Sequence, residues 1–359
     1  MDFAYRFVAV KGRQANRDYY IAMVPLRMLS RLFGNEDEFV SPEHRAQRKI
    51  NQSRIPAISK YILKNRDTYV FSALTASIDG EFCFLTASPE DMIGTLEVSM
   101  DAKFLINDGQ HRKAAIIEAL SEDASLGNET ISVVFYEDQG LARSQQMFTD
   151  LNKHAVKTSN SIAELYDSRD QLAVITRKMV AEIEFFQKYT DKEKDILGKY
   201  SSKLFTLSTF YNANKRIIHG KSVSAEQEHF LMQYWSALCR YVEPWRQLMA
   251  REISKVDLRE QYLLTQSVMI QVFGRLGYEL LHADIDNLDA VLCPLRDIDW
   301  RRESPLWYLR TIRANGRVIN NENAIILTCN IIKKQLGIPL NSVENSKEMA
   351  FTKEDISNV

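Results

Sequence analysis

Six consecutive residues concentrate polar chemistry in the first half of the chain. They supply two carboxamides, a carboxylate, an imidazole and a guanidinium, in the order Asn107, Asp108, Gly109, Gln110, His111 and Arg112. A guanidinium binds phosphate through parallel hydrogen bonds, and an imidazole donates to a phosphate oxygen or moves a proton. The Asp108 carboxylate has three available roles: capping a helix, holding Arg112, or orienting a metal ion or water. The pattern therefore favours an anion site or a catalytic site.

The elements on either side of this motif predict how it would meet a ligand. The apolar run at 104–106 predicts a strand, Gly109 supplies backbone freedom, and the run at 112–120 predicts a helix. The first N–H groups of a helix lack partners within it and carry partial positive charge, so a phosphate binds readily there. The alternative is structural: Asp108 caps the helix, Gly109 makes the turn, and the other side chains are solvated.

The hydrophobic pattern changes along the chain. Short runs rich in Val, Ile, Phe and Tyr predict strands up to about residue 137, and the dipeptide Asp79-Gly80 predicts a tight hairpin between two of them. From residue 141 onward, apolar residues recur at spacings of three and four, which is typical of amphipathic helices. We therefore predict an α+β protein. It has a mixed α/β domain at 1–140, a mainly helical domain packed against it at 141–345, and a flexible tail at 346–359.

Composition and charge exclude several classes of protein. The 359 residues are 45% hydrophobic, enough for one large domain or two medium ones. Lys and Arg number 46 against 47 Asp and Glu, so overall basicity gives no argument for nucleic-acid binding. The four cysteines form no CxxC pair, and no run approaches the roughly 18 apolar residues of a membrane span. We expect a cytoplasmic protein with reduced thiols and no membrane partner.

The motif and several further segments resemble one known family. Residues 107–112 match the signature of the DGQHR-domain family, which is distantly similar to the ParB/sulfiredoxin-like superfamily. The stretch 47–62 resembles the segment of that family with QR, R and YI, and residues 148–159 resemble its element with F, IN and S. Within the family, the stretches 300–318 and 327–337 are most similar to the DndB group of DNA sulfur modification proteins.

The resemblance implies a role in bacterial DNA phosphorothioation, in which sulfur replaces a non-bridging phosphate oxygen. DndB-like proteins resemble regulators more than sulfur-transfer catalysts, and related domains are associated with nucleotide binding and hydrolysis. A nucleotide triphosphate, first of all ATP, is therefore implied as cofactor, with Mg²⁺ and weak NTPase activity as options. No P-loop sequence is present. The implied catalytic residues are Asp108, His111 and Arg112, and the implied nucleotide-binding residues are Asn107, Gly109, Gln110, Arg48, Asn152 and Ser159.

DNA binding requires a separate surface, because a site for one triphosphate does not track a duplex. A first basic cluster comprises Arg45, Lys49 and Arg54. A second cluster interleaves arginines with Trp300 and Trp307, as stacking and phosphate-contacting surfaces do. Its arginines are Arg301, Arg302, Arg310, Arg313 and Arg317. The alternative is that these charges pair with neighbouring acids and that the tryptophans are core anchors.

Three functions remain open from the sequence. The first is a DNA-binding regulator of phosphorothioation, whose partners are double-stranded DNA at promoters or modified sites and other phosphorothioation proteins. The second is an NTP-dependent enzyme such as a nicking nuclease, ranked lower because no dense set of carboxylates lies near the motif. The third is a scaffold that uses the turn structurally. Operator-binding regulators are commonly symmetric, so a homo-oligomer is one option and the oligomeric state stays open.

Overall fold

A computed structural model describes residues 3–34, 51–153, 158–220, 222–283, 285 and 287–357. The chain divides into two units, Met1–Val156 and Lys157–Val359. The first unit contains a large sheet with helices, and the second is helical apart from one short strand pair, which confirms the predicted α+β class. None of the helices in the described ranges is long and apolar enough to cross a bilayer.

Seven strands in the described part of the first unit form one sheet. They are β1 (Ala4–Gln14), β2 (Arg17–Pro25), β3 (Leu74–Asp79), β4 (Phe82–Leu85), β5 (Ile93–Ser99), β6 (Lys103–Asp108) and β7 (Thr130–Glu137). The order across the sheet is β4-β5-β1-β2-β7-β3-β6, and only the β3–β7 pair is parallel. Side chains alternate between the faces, so Phe7 and Ala9 enter the core while Val8 between them is exposed.

One hairpin forms at the start of the sheet, and the hairpin predicted further along does not. Strands β1 and β2 pair with each other, and the two turn residues Ala15 and Asn16 both have positive φ, which suits a type I′ turn. The hairpin predicted at Asp79-Gly80 is wrong, because β3 pairs with β6 and β7 whereas β4 pairs with β5. The chain turns at Gly80, where φ is +138°, but the flanking strands lie in different parts of the sheet.

The described part of the first unit also contains helices. They are α1 (Leu29–Leu32), α2 (Ile55–Lys64), α3 (Gln110–Glu122) and α4 (Leu141–Lys153), with single turns of 3-10 helix at Leu26–Met28, Gln52–Arg54 and Ala124–Asn128. Helix α2 packs against α3, and their side chains Ile62 and Ile116 join one hydrophobic core with Leu74 and Phe135 of the sheet. Burial of these apolar faces positions the start of α3 beside the end of β6.

The second unit is built mainly from helices. They are α5 (Asn160–Tyr166), α6 (Gln171–Glu182), α7 (Glu184–Tyr189), α8 (Leu207–Ile218), α9 (Ala225–Tyr241), α10 (Glu243–Met249), α11 (Lys255–Gln261), α12 (Ser267–Leu281), α13 (Leu288–Leu292), α14 (Glu322–Gln335) and α15 (Ser342–Ser357). Strands β8 (Thr190–Asp191) and β9 (Phe205–Thr206) form a short parallel pair, and 3-10 turns occur at Cys293–Asp297 and Pro305–Trp307.

Helices α8 and α12 form the centre of the second unit. They approach so closely at Gly274 that a Cβ there would lie 2.9 Å from the carbonyl oxygen of Ala213. A buried polar bridge also crosses this core: the Trp235 indole donates to Asn214 at 2.7 Å, and the Asn214 amide donates to Thr176 at 2.9 Å. Each of these three buried side chains thereby has a hydrogen-bond partner within the protein.

The two units differ in extent from the predicted segments. The expected boundary at 140/141 falls before α4, whereas the division in the structure follows that helix, at 156/157. Residues 346–357, expected to be part of a flexible tail, lie within helix α15. That helix buries the charged side chains of Glu344 and Glu348, which a solvated tail would not do.

Candidate functional site

Gly109 makes the turn between β6 and α3. Its φ is +102°, a conformation that an L side chain rarely adopts. A Cβ at this position would also lie 2.4 Å from Cδ2 of Leu74. Both the backbone conformation and the close approach of β3 therefore require glycine here, and Gly109 is the N-cap of α3 without any side-chain cap.

The Arg112 guanidinium faces the protein and binds it at several points. Its Nη1 donates to the carbonyl oxygens of Ser72 at 2.8 Å and Ala73 at 2.9 Å, and also to the Ser72 hydroxyl. Its Nη2 donates to Oδ2 of Asp108 at 2.5 Å. Arg112 therefore ties the segment before β3 to the first turn of α3, and its two terminal nitrogens are occupied by protein oxygens.

Asp108 and Asn107 take structural positions at the end of β6. The Asp108 carboxylate holds Arg112 one helical turn away, so it does not cap α3. Asn107 is 1% exposed and donates to Oγ of Ser77 at 2.6 Å. Its Oδ1 is buried and accepts no hydrogen bond from the residues that the structure describes.

The next two residues of the motif face other segments of the first unit. The Nε2 atom of His111 accepts the backbone N–H of Asn51 at 3.1 Å, which leaves its other ring nitrogen, Nδ1, to carry the proton of the neutral ring. Gln110 is buried, with 9% of its surface exposed. The motif is thus drawn into the packing between α2, α3 and the sheet.

The structure describes two of the three remaining predicted nucleotide residues. Arg48 lies outside the described residues, and so do Arg45 and Lys49 of the first basic cluster. Asn152 lies in α4. Ser159 belongs to the second unit, where it caps α5 by accepting from the amide of Ile162 at 3.1 Å.

The described residues contain no group of three His, Cys, Asp or Glu side chains that could hold a metal ion. Near the motif, the Asp108 carboxylate is already paired with Arg112. This geometry gives no support for the metal cage that a nuclease requires.

The cysteines show no sign of activation. All four are free, and burial raises the pKa of the Cys239 and Cys329 thiols, that of Cys329 to about 12. A protonated thiol is a poor nucleophile, so these two side chains are suited to packing. Cys83 and Cys293 are partly exposed and lie in different units.

The second basic cluster separates into buried and exposed members. Trp300 and Trp307 are core residues, with stacked rings whose centroids are 5.6 Å apart, and their indoles donate to backbone carbonyls. Arg310 is paired with Glu348 through both terminal nitrogens, at 2.7 and 3.0 Å. Arg302 is partly buried and donates to backbone carbonyls near α11. These four side chains support the fold.

Three other arginines of this cluster point to solvent. Arg301, Arg313 and Arg317 are exposed, and their guanidinium groups have no hydrogen bond or ion pair within the described ranges. In the first unit, Arg54 is also exposed. Of the predicted DNA-binding residues that the structure describes, these four are the accessible ones.

Arg313 and Arg317 face each other across a tight hairpin, residues 312–318, which we call the arginine hairpin. Ile312 and Val318 pair as an antiparallel bridge and direct their side chains toward the core. The amide of Arg313 donates to the Arg317 carbonyl at 2.9 Å, and Gly316 closes the turn with φ of +76°. The two arginine side chains consequently project from the same end of the hairpin.

A polar groove beside α8 was not anticipated from the sequence. Asn212, Lys215, Arg216 and His219 recur at spacings of three and four, which places them on one face of the helix. That spacing is the signal from which a polar face of α8 could be predicted. The aromatic residues in the same stretch, however, indicate core packing.

A family model described as DndB, DNA-sulfur modification-associated, matches residues 7–339, nearly the whole chain. Neither the curated proteins nor the solved structures give a match.

Proposed function

Because this chain belongs to the DndB family, which acts in the DNA phosphorothioation system, we propose that it is a DNA-binding regulator of that system. The observation that carries the proposal is the arginine hairpin, with two exposed guanidinium groups and no described acid beside them. The predicted family membership is confirmed by the match. DNA binding and regulation are our inference from the surface.

The arginine hairpin presents a charge arrangement that an anion would stabilise. Like charges on directly opposed residues of an antiparallel pair destabilise it. A phosphate placed between Arg313 and Arg317 would replace that repulsion with charge-assisted hydrogen bonds, for which guanidinium geometry is well suited. The backbone hydrogen bonds of the turn fix the spacing of the two Cα positions, so the backbone loses little entropy on binding. Backbone phosphates of duplex DNA supply such anions at regular intervals.

The thiols support a regulatory rather than a sulfur-carrying role. A sulfur relay needs an accessible thiolate near a second reactive group. The partly buried Cys239 and the buried Cys329 have raised pKa values, and no cysteine pair occurs in the sequence at redox-motif spacing. The chain would then act on the phosphorothioation system by binding DNA.

We test DNA binding by the double variant Arg313→Ala/Arg317→Ala. Its affinity for a promoter duplex of the phosphorothioation genes should fall by about tenfold or more, because two phosphate contacts are lost. The slope of log affinity against log salt should also flatten by about two. Fluorescence anisotropy over a salt series measures both quantities.

The matched control is Lys194→Ala/Lys255→Ala, which removes two exposed lysines of the same unit and changes the net charge equally. It should bind nearly as the wild type does. Equal affinity and equal salt slope for the arginine double variant and the wild type would refute the hairpin as the DNA surface. A parallel loss in the lysine control would show that only overall charge matters.

The predicted ATP site at residues 107–112 has less support than the proposed DNA surface. Family membership and the N-terminus of α3 favour an ATP site. However, the Arg112 guanidinium, which was expected to bind phosphate, already donates hydrogen bonds to Ser72, Ala73 and Asp108. ATP and Mg²⁺ binding at this turn, and any hydrolysis, therefore stay predictions. Isothermal titration of the wild-type protein and of Asp108→Asn with MgATP tests them directly.

A further inference from the structure

The second unit contains a polar groove that neither the motif nor the arginine hairpin explains. Its volume is about 920 Å³, and it lies between the exposed face of α8, the start of α12 and Asn320. Its lining includes Asn212, Lys215, Arg216, His219, Ser267 and Asn320. Among the described residues, the lining contains three basic side chains and no carboxylate. We refer to it as the α8 groove.

Helix α8 presents opposite chemistry on its two sides. Phe210, Ala213 and Ile217 are fully buried in the core of the unit. Asn212 and Lys215, on the other side, are exposed to the groove. The polar side chains therefore do not contribute to packing, and their concentration around a concave surface calls for a ligand explanation.

Arg216 is held rigidly at one wall of the groove. Its two terminal nitrogens bind the carboxylate of Glu322 at 2.7 and 2.9 Å, and its Nε donates to Gln271 at 3.4 Å. These bonds join α8, α12 and α14. Because Glu322 neutralises Arg216, that side chain frames the groove and adds little net charge to it.

Lys215 supplies the uncompensated charge. Its ammonium group makes no hydrogen bond or ion pair with any residue that the structure describes. Glu164 interacts electrostatically with it, and burial, Asp195 and Asp170 raise the pKa of the Glu164 carboxyl to about 7, which weakens it as a counter-charge. The lysine thus stands beside a cavity with at most a weakened counter-charge.

The start of α12 adds further donors to the same groove. Its N-cap residue Gln266 makes no side-chain cap, and the hydroxyl of Ser267 lies at the lining, 3.5 Å from the amide nitrogen of Asn320. Hydroxyl, carboxamide and ammonium groups around one cavity are donors for an anion with several oxygens.

We propose that the α8 groove binds the phosphate groups of a small phosphorylated molecule, with Lys215 as the principal charged contact. The volume exceeds that of a single phosphate ion and falls within the range of small-molecule sites. Lysine binds phosphate as a flexible point charge, and Ser267, Asn212 and Asn320 supply neutral hydrogen bonds around it. The groove lining shares no residue with the arginine hairpin.

The test compares three probes on the full-length protein: inorganic pyrophosphate, ATP and a short DNA duplex. Lys215→Ala should lower the affinity for pyrophosphate and ATP about tenfold, since one charge-assisted contact is lost. Lys215→Arg, which keeps the charge, should restore most of that affinity. Asn212→Asp, which places a carboxylate on the exposed face of α8, should weaken binding at least as much. Isothermal titration calorimetry provides the measurement.

Lys255→Ala serves as the control, because it removes an exposed lysine elsewhere in the same unit. It should bind pyrophosphate as the wild type does. Retention of wild-type affinity by Lys215→Ala, or no binding of pyrophosphate and ATP to the wild type, would overturn the proposal. A loss confined to duplex DNA would also overturn it, since the groove would then be part of a nucleic-acid surface.

Discussion

The sequence predicted that the Arg112 guanidinium binds oxygen atoms, but it did not predict that these oxygens belong to the protein itself. Five donors in a planar fork suit a phosphate, and they suit two carbonyl oxygens and a carboxylate equally well. In this structure the oxygens come from Ser72, Ala73 and Asp108. The sequence could identify the donor set, but the segment before β3 lies about forty residues away and gives no local signal of its position.

Arg112→Ala should therefore destabilise the first unit. Loss of hydrogen bonds to a largely buried charged group costs about 2 kcal/mol. Arg31→Ala, an exposed arginine of the same unit, should cost less than about 0.5 kcal/mol. Because all four tryptophans lie in the second unit, far-ultraviolet circular dichroism during urea unfolding is the suitable probe. Unchanged stability in Arg112→Ala, combined with lost MgATP binding, would restore the original phosphate-binding interpretation.

Glu164 on α5 is a partly buried acid in an acidic environment. Burial, Asp195 and Asp170 raise the pKa of its carboxyl and Lys215 lowers it, with a net pKa of about 7. Its Oε2 is buried without a hydrogen-bond partner in the described part of the chain. The folded state therefore binds a proton more tightly than the unfolded state does. This contribution to stability is complete below the unfolded pKa of about 4.5 and is lost as pH rises through 7.

Glu164→Gln should remove that pH dependence. At about pH 8 the variant should be more stable than the wild type by about 1 kcal/mol, after allowance for solvent screening of the partly exposed side chain. At about pH 4.5 the two proteins should be nearly equal. Urea unfolding followed by tryptophan fluorescence reports on the second unit alone. A stability difference independent of pH would mean that this carboxyl titrates normally.

At the scale of elements, helix α15 is fixed to α14 and α12 by buried ion pairs. Glu344 is fully buried and accepts from Lys333 at 2.7 Å and Arg275 at 2.9 Å. Burial raises the pKa of Glu344, but the bonds from Lys333, Asn341 and Arg275 outweigh it and hold the pKa below its usual value. Since Lys333 is itself 1% exposed, each charge depends on the other.

Glu344→Gln should destabilise the second unit by about 3 kcal/mol, because it leaves the Lys333 ammonium buried with weakened compensation. Glu228→Gln, which removes a surface pair with Lys178, should cost less than about 1 kcal/mol. Tryptophan fluorescence in urea again gives the free energies. Similar small losses in both variants would show that water enters around Lys333 and screens it.

The elements themselves were predictable where local signals decide them. Neighbouring residues in the sequence predict the alternation in β1 and β2 and the turn at Gly109 into α3. The Asp79-Gly80 hairpin failed because the partner of β3 is chosen by burial: Leu74 to Ile78 are buried on both faces, which requires a central position between β7 and β6. Residues 346–357, predicted as part of a flexible tail, lie in helix α15, whose partners for Glu348 are remote in the sequence.

At the scale of the whole molecule, the sequence predicted family membership better than it predicted function. The DGQHR motif and four further segments sufficed to place the chain in its family, and the match over 7–339 confirms it. The dense Arg and Trp content of 300–317 indicated a surface, yet its tryptophans are core residues and two of its arginines are bound to protein oxygens. Composition gives the number of charged side chains, whereas the role of each one depends on the residues that the fold places next to it.

The position of β7 has a consequence for how the first unit is made. This strand is the last of the seven along the chain, yet it joins the β4-β5-β1-β2 group to the β3-β6 pair. Until residues 130–137 leave the ribosome, the two groups have no common strand and the DGQHR turn lies on a strand pair that is not joined to the rest of the sheet. Such non-local closure slows folding and prolongs the exposure of strand edges. Nascent chains arrested just before Thr130 should therefore recruit chaperones, and release of eight further residues should end that dependence.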